Sequence, residues 1–202
     1  MSNLGLTTIT SLKGGVGKSS IASALCLELS FSGEEVPIIT NDVISPLEKI
    51  LGKDRAMVID QDQDFPTSIT TDDDCIVDLG GFIDARTIGI IKKSKQVVIP
   101  TLTSRLSLDG LITTIQEIKD YNNEIIIVLN QYEKKEVDAV VGWIREQHNY
   151  PIFKIKTSKC FDNLHYQKKS ISQMMKEEPL MRRAYKEVQS QLHEIISHLQ
   201  GV

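Results

Sequence analysis

The sequence predicts an α/β fold of three layers, in which helices flank both faces of a mainly parallel, twisted sheet. Short apolar runs alternate along the chain with longer segments whose apolar residues recur at helical spacing. This alternation is typical of parallel strands joined by helical crossovers. Residues 1–202 are expected to form one domain, because their number suits a single core and no linker composition divides them.

Each element is predicted from its periodicity and from the turn residues at its ends. Gly33 is expected to end the first helix, and the second half of the acidic stretch 60–74 is expected to be a loop. Strands are predicted at 7–12, 36–40, 56–59, 75–79, 97–99, 124–129 and 150–155. Helices are predicted at 19–32, from 45 onward, and at 85–93, 106–121, 133–148 and 177–199.

Composition and charge argue against several classes of protein. The net charge of −4 disfavours a globally basic nucleic-acid binder. The three cysteines (Cys26, Cys75 and Cys160) are far apart and odd in number, which favours a reduced, intracellular protein. No apolar run reaches the length of a membrane span, and the N-terminus lacks the pattern of a signal peptide. A cytoplasmic location is therefore expected.

A glycine-rich run lies directly between the first predicted strand and the first predicted helix. Parallel sheets bind ligands at the carboxyl ends of their strands, which is where this run lies. Glycines let the backbone curl with its N–H groups inward, and the start of the helix adds partial positive charge. The run therefore predicts a phosphate-binding loop rather than a turn with solvated lysines. Its predicted ligand-binding residues are Gly14, Gly15, Val16, Gly17, Lys18, Ser19 and Ser20.

The loop departs from the strict phosphate-binding pattern, which has a further glycine where Leu12 stands, and it opens with a second lysine, Lys13. Lys-Gly-Gly-x-Gly-Lys-Ser/Thr is the deviant Walker A motif. Through this motif the chain resembles the ParA and MinD ATPases, most of all small ParA-type partition proteins. Segments 39–42, 76–81 and 98–101 resemble, in order, the end of the family's second strand, its second switch and the strand after that switch.

The resemblance implies an ATP- and Mg²⁺-dependent P-loop ATPase that forms a sandwich homodimer with two nucleotides at its interface. Lys13 is then expected to reach the partner subunit's nucleotide, and Lys18 the phosphates of its own. Asp42 matches the carboxylate that orients the attacking water. The implied magnesium ligands are Ser19, Asp42 and, through water, Asp78.

Two further positions complete the nucleotide contacts that the resemblance implies. They are Gly80, in the second switch, and Asn130, which ends a predicted strand at the ligand edge and is expected to help hold the base against residues 154–158. Simpler interpretations stay open for three of these residues. Asp42 and Asp78 can cap a following helix or turn, and Asn130 can close a turn.

The chain also differs from the family pattern. Thr40 stands where the family has the first carboxylate of the first switch, and Gly80-Gly81 replaces the proline of the second switch. These changes indicate a divergent member. We therefore expect slow, partner-stimulated ATP hydrolysis. Two alternatives remain, namely a nucleotide-dependent scaffold with little hydrolysis and a P-loop metabolic ligase of the dethiobiotin synthetase type.

Basic residues concentrate in the last third of the chain. The resemblance implies that the ATP-bound dimer binds nonspecific DNA at the nucleoid, works with a ParB-like or other activating adaptor, and partitions or positions a plasmid, mobile element or other cargo. The alternative is a solvated charged face diluted by glutamates. The polar face of the last predicted helix carries no lysine or arginine near its end, so membrane binding is not expected. The candidate DNA contacts are Lys154, Lys156, Lys159, Lys168, Lys169, Arg182 and Arg183.

Overall fold

A parallel sheet of seven strands forms the centre of the fold. The computed structural model describes residues 4–60 and 62–202, so expectations for residues 1–3 and Gln61 lie outside it. The strands are β1 (Leu6–Ile9), β2 (Ile38–Thr40), β3 (Ala56–Val58), β4 (Cys75–Asp78), β5 (Gln96–Thr101), β6 (Ile125–Tyr132) and β7 (Ile152–Lys156). Their spatial order is β3-β2-β4-β1-β5-β6-β7, and the paired strands in the described residues run parallel. The predicted fold class is confirmed.

Helices cover both faces of this sheet. Those that the structure describes are α1 (Lys18–Phe31), α2 (Leu47–Leu51), α3 (Ala85–Lys93), α4 (Arg105–Ile118), α5 (Val137–Gln147), α6 (Cys160–Gln167), α7 (Ile171–Glu177) and α8 (Met181–Gln200). One core contains side chains of α1, α2, α6, α7 and α8, and the other contains side chains of α3, α4 and α5. Neighbouring strand residues contribute to opposite cores, as Ile76 and Val77 of β4 do. Burial on both faces explains why the central strands β4, β5 and β6 are rich in Ile and Val.

The first helix lies inside the molecule on almost every side. All nine residues from Ile21 to Leu29 are buried. Glu28 is buried among them, where its carboxylate accepts a hydrogen bond from the Ser172 backbone at 2.9 Å and lies 3.4 Å from His193 Nε2. These contacts join α1 to α7 and α8. Gly33, at φ 91°, follows the last residues of α1, which confirms the predicted helix end.

The region after β7 differs most from the sequence prediction. Helices α6 and α7 were not predicted, because their short segments show no extended apolar periodicity. The last helix was predicted to begin at Glu177, which instead ends α7, and Pro179 separates α7 from α8. Leu180, within the range predicted for that helix, is 95% exposed because it lies at the turn before α8. The first strand ends at Ile9 rather than at residue 12, because the chain already turns toward the phosphate-binding loop.

A capping box fixes the start of α3. The Asp84 carboxylate accepts a hydrogen bond from the Thr87 backbone at 2.8 Å, and Thr87 Oγ1 accepts one from the Asp84 backbone at 2.7 Å.

We expect Asp84→Ala to lower the free energy of unfolding by about 1 kcal/mol, measured by urea denaturation. Glu136→Ala is the matched control, because Glu136 precedes α5 without a capping hydrogen bond from its side chain. Equal losses in the two variants would contradict the capping role.

Candidate functional site

The phosphate-binding loop lies at the middle of the sheet, between the end of β1 and the start of α1. Gly15 and Gly17 adopt φ of 75° and 95°, in the left-handed region that favours glycine. A Cβ on Gly17 would come within 2.2 Å of Asn130 Nδ2, so this position has no room for a side chain. The loop is therefore shaped both by its own glycines and by Asn130 of β6.

Lys18 lies back against the loop from which it projects. Its Nζ donates a hydrogen bond to the Ser11 carbonyl at 3.3 Å. Burial lowers the pKa of Lys18, and the nearby carboxylates of Asp78 and Asp42 offset part of that effect. A partly desolvated ammonium group at the start of α1 is suited to bind an anion.

Ser19 and Asp78 meet directly below the loop. Ser19 Oγ donates a hydrogen bond to Asp78 Oδ2 at 2.6 Å, and Asp78 is only 1% exposed. Burial raises the pKa of Asp78 to about 6, although the Ser19 hydrogen bond and Lys18 act in the opposite direction. The other carboxylate oxygen, Oδ1, is buried without a hydrogen-bond partner among the described residues.

This pair fits the expected magnesium site in its chemistry. A hydroxyl oxygen and an unsatisfied carboxylate oxygen are ligands that Mg²⁺ takes in proteins. The residues that the structure describes contain no cluster of three or more His, Cys, Asp or Glu side chains suited to a metal. A magnesium ion here would therefore need water and phosphate oxygens to complete its coordination, as is usual for this ion.

Asp42 lies at the end of β2, beside the loop, and is partly exposed. Its Oδ1 accepts a hydrogen bond from the Ile44 backbone at 3.1 Å, which closes a turn. The turn interpretation of Asp42 is thus present in the structure, while its predicted role toward water and magnesium stays a prediction. Thr40, which replaces the family's carboxylate, is fully buried and pairs in register with Asp78.

Asn41 is a site residue that the sequence analysis missed. Its Oδ1 accepts a hydrogen bond from the Gly80 backbone at 2.7 Å, and its buried Nδ2 lacks a hydrogen-bond partner in the described chain. The bond connects the segment after β2 to the segment after β4. Its place next to Asp42, at the end of the same strand, was the signal that could have identified it.

Asn130 uses both ends of its side-chain amide within the protein. Nδ2 donates to the Val16 carbonyl at 2.9 Å, and Oδ1 accepts from the Gln131 backbone at 2.9 Å. Gln131 itself has a φ of 51°. Asn130 therefore supports the phosphate-binding loop from within β6 and does not close a turn, and its predicted contact with a base stays a prediction.

A cleft of about 350 Å³ opens beside Asn130 and Ser20, at the start of α1. Thr157 and Ser158 line it, and both belong to the segment that was expected to form the opposite wall of a base site. The other side chains of this wall were not predicted to belong to the base site, because they lie on or next to the unpredicted α6. They are Lys159, Phe161, Asp162 and His165.

Lys13 occupies the outer side of the loop and is exposed. Its side chain lies against α4 at Gly110, where an added Cβ would come within 3.0 Å of Lys13 Cβ. One helical turn further on, Thr114 Oγ1 accepts a hydrogen bond from the Leu12 backbone at 3.1 Å. The first half of the loop thus packs against α4, whereas its second half leads into α1.

The basic residues of the last third do not form one patch. Lys156 forms an ion pair with Glu187, and Lys169 forms one with Glu177. The other candidates are distributed over different surfaces. Lys154 lines a cleft with Tyr132 and Gln191, Lys159 lines the cleft beside Asn130, Lys168 lines a groove at the end of α1, and Arg182 and Arg183 lie exposed on α8.

Comparison with known proteins identifies the family of this fold and site. The family model described as the CobQ/CobB/MinD/ParA nucleotide binding domain matches residues 7–180. Comparison with curated proteins gives no match. Among the described helices, none combines the length and hydropathy that crossing a membrane requires.

Several solved structures share the fold over most of the chain. A Cyanothece McdA variant in complex with ATP is 16% identical with a TM-score of 0.73, covering 100% of this chain and 98% of that one. The Aquifex aeolicus cell division protein MinD is 16% identical with a TM-score of 0.71, covering 98% and 97%. A plasmid partition protein from Borrelia burgdorferi is 14% identical with a TM-score of 0.57, covering 81% and 96%.

The raised pKa of Asp78 predicts a pH-dependent cost of folding. The pKa of Asp78 is about 6 in the folded chain and about 4 in the unfolded chain. The folded chain therefore holds the proton more tightly, and the free energy of unfolding falls as the pH rises from about 4 through 6. Asp78→Asn removes the titration. We expect the stability of Asp78→Asn relative to the native chain to rise by about 1 kcal/mol between pH 5 and pH 8. Urea denaturation without nucleotide measures this difference, and a pH-independent difference would contradict it.

The contact between Lys13 and α4 predicts that Gly110 does not tolerate a side chain as other helical glycines do. Gly142 in α5 is the matched control, since nothing lies within 4 Å of a Cβ placed there. We expect Gly142→Ala to raise the free energy of unfolding by roughly 0.5–1 kcal/mol. Gly110→Ala should gain less or lose stability, because Lys13 and its loop must shift. Equal gains in urea denaturation would contradict this close contact.

Proposed function

We propose that this chain, which belongs to the CobQ/CobB/MinD/ParA family of nucleotide-binding domains, is a ParA-like ATPase. In this proposal its ATP-bound form is a sandwich homodimer that binds DNA without sequence preference and partitions or positions a plasmid, mobile element or other cargo. The observation that carries the proposal is that the two lysines of one loop have different surroundings. Lys18 is held against its own loop, whereas Lys13 is exposed on the outer side.

Binding of ATP is supported by the residues around the loop. The inward N–H groups and Lys18 would neutralise phosphate charge, and the Ser19 hydroxyl would move from Asp78 to a magnesium ion. That ion would neutralise the β- and γ-phosphate oxygens. Asp78, whose second oxygen lacks a partner among the described residues, would hold the ion through water. The adjoining cleft would receive the base, with Asn130 fixing the loop beside it.

Hydrolysis in this proposal depends on positioning more than on covalent chemistry. Asp42 would orient the attacking water, and Lys13 from the partner subunit would stabilise the negative charge that develops on the phosphate oxygens. Thr40 cannot supply a second carboxylate in this region. Slow turnover that needs a stimulating partner follows from that replacement.

The surface around Lys13 supports dimerisation through this edge. The strands β2, β4, β1 and β5 are neighbours, so the segments after them lie side by side at their carboxyl ends. Large apolar side chains are exposed there: Ile44 is 87% exposed, Leu106 is 72% exposed, and Phe82 is 39% exposed. A second copy of the chain, related by a two-fold axis, would cover these side chains and bring each Lys13 to the opposite nucleotide.

The DNA contact and the cargo rest on the likeness to partition proteins and on exposed basic residues. Lys154, Lys159, Lys168 and Arg183 are exposed and remain candidates, whereas the ion pairs of Lys156 and Lys169 reduce their availability. Contacts of this kind would be made to phosphates and would weaken with salt. An activating adaptor, ParB-like or of another kind, completes this proposal.

A second candidate function is a nucleotide-dependent scaffold that hydrolyses little ATP. The specific observation in its favour is Thr40, which lies in the position of a family carboxylate and is fully buried beside Asp78. A carboxylate at position 40 would be buried beside Asp78, and the two negative charges would repel each other. The replacement by threonine therefore also suits a chain that binds nucleotide without rapid turnover. Turnover measured with and without DNA separates the two functions.

The lysine that opens the loop provides the direct test. We expect Lys13→Gln to reduce DNA- or partner-stimulated ATP hydrolysis by roughly a hundredfold or more, because the charge supplied across the interface is lost. Binding of a fluorescent ATP analogue by the monomer should stay unchanged, since Lys18 remains. Lys135→Gln is the control, because Lys135 is an exposed lysine in the loop after β6.

Size-exclusion chromatography with ATP and with ADP tests the dimer itself. The native chain and a hydrolysis-blocked Asp42→Ala variant should elute as dimers with ATP and as monomers with ADP. Monomers in both nucleotides, even for Asp42→Ala, would refute the dimer. Stimulated turnover that is unchanged in Lys13→Gln would refute the role of this lysine across the interface.

A further inference from the structure

A groove of about 620 Å³ lies at the end of α1, far from the phosphate-binding loop. Leu27 and Phe31 line the groove with apolar surface. Phe31 is 43% exposed, although the residues of α1 from Ile21 to Leu29 are buried. A half-exposed aromatic ring at the end of an otherwise buried helix, inside a groove of ligand-binding size, is a candidate docking surface.

Three cations from different parts of the chain line the same groove: Arg55, Lys168 and Lys176. Arg55 is oriented by two hydrogen bonds, from Nη1 to Ser30 Oγ and from Nε to the Leu51 carbonyl. Lys176 lies over the Phe31 ring, with Nζ 5.8 Å from its centroid. The groove thus combines an apolar floor with a positively charged rim.

The one carboxylate among the lining residues neutralises only part of this rim. Glu177 is ion-paired with Lys169 and accepts a hydrogen bond from Gln173 at 2.9 Å. Glu177 also interacts with Lys176, but one carboxylate shared with Lys169 against three lining cations leaves the groove positively charged. An occupant of complementary chemistry would be acidic at its edges and apolar at its centre.

We propose that this groove binds an acidic segment of a partner protein that inserts at least one large apolar side chain against Phe31. The apolar floor favours such a segment over the backbone of a nucleic acid, which offers phosphates but no apolar side chain to bury. The three rim cations would contact carboxylates on either side of the apolar side chain. This surface goes beyond the proposed ATPase function and does not depend on it.

The position of the groove allows the partner and the nucleotide to bind together. Helix α1 has 14 residues and is therefore about 21 Å long. The phosphate-binding loop lies at its start and the groove at its end. A segment docked in the groove would leave the edge that carries Lys13 free for a second copy of the chain.

Fluorescence anisotropy with a defined probe tests this docking. The probe is a labelled synthetic peptide with two leucines four residues apart and glutamates at most other positions, titrated with the nucleotide-free full chain. We expect Lys168→Glu/Lys176→Glu to raise the dissociation constant at least about tenfold, because two attractive contacts become repulsive. Lys154→Glu/Lys135→Glu, which makes the same change in net charge on β7 and in the loop after β6, should alter it less than about twofold.

Two further variants separate the apolar contact from general attraction between charges. Phe31→Ser and a peptide with serines in place of the leucines should each weaken binding about tenfold. The proposal is overturned if the leucine-free peptide binds as well, if both double variants weaken binding equally, or if the native chain does not bind the peptide. It is also overturned if duplex DNA binds with the same dependence on Lys168 and Lys176 and displaces the peptide. Since no nucleotide is present, loss of ATPase activity cannot produce any of these results.

Discussion

The hydrogen bond between Ser19 and Asp78 joins the start of α1 to the end of β4, and the arrangement of the site depends on it. Burying a carboxylate is costly unless its oxygens are satisfied, and one oxygen of Asp78 has no partner among the described residues. Lys18 is also desolvated, and it lies near the same carboxylate. The Lys18 ammonium and the Asp78 carboxylate therefore both lack part of the hydrogen bonding or solvation that their charges require. Phosphate oxygens and a magnesium ion would complete the compensation of each, which is a physical reason for this sequence to bind the two together.

Around this bond, the segments that follow several strands are connected to one another. Asn130 holds the loop from the side of β6, and Asn41 joins the segment after β2 to the segment after β4. Thr114 holds the Leu12 backbone from the side of α4. A change in the loop would consequently be transmitted to Asp78 at the end of β4, to β6 and to α4. The same connections explain why amides and hydroxyls occupy these positions, since each hydrogen-bonds to a backbone group that lies outside the strand and helix ladders.

The sequence was sufficient for the parallel sheet and for the phosphate-binding loop because both have local signals, namely apolar runs of strand length and glycines at fixed spacing. It was insufficient for α6 and α7, which are short and are held by contacts with α1 and α8 rather than by their own periodicity. The cleft wall at Phe161 and His165 was missed for the same reason. Asn41 and Gly110 were missed because their roles come from contacts with Gly80 and Lys13, which are distant in sequence. Likewise, the basic residues are near one another in the last third of the sequence, but in the structure they are distributed over separate surfaces.

Helix α1 physically connects the two candidate binding surfaces, the phosphate site and the basic groove. Its first residues belong to the phosphate site, and its last residue, Phe31, belongs to the basic groove. Between them the helix is packed on nearly all sides, and the buried carboxylate of Glu28 ties it to α7 and α8. A helix confined in this way moves with its surroundings as one body, because a close-packed interior leaves little room for bending. Nucleotide and partner can then influence each other only through shifts of α1 together with the helices that pack on it, and α7, which contributes Lys176 to the groove, is one of those helices.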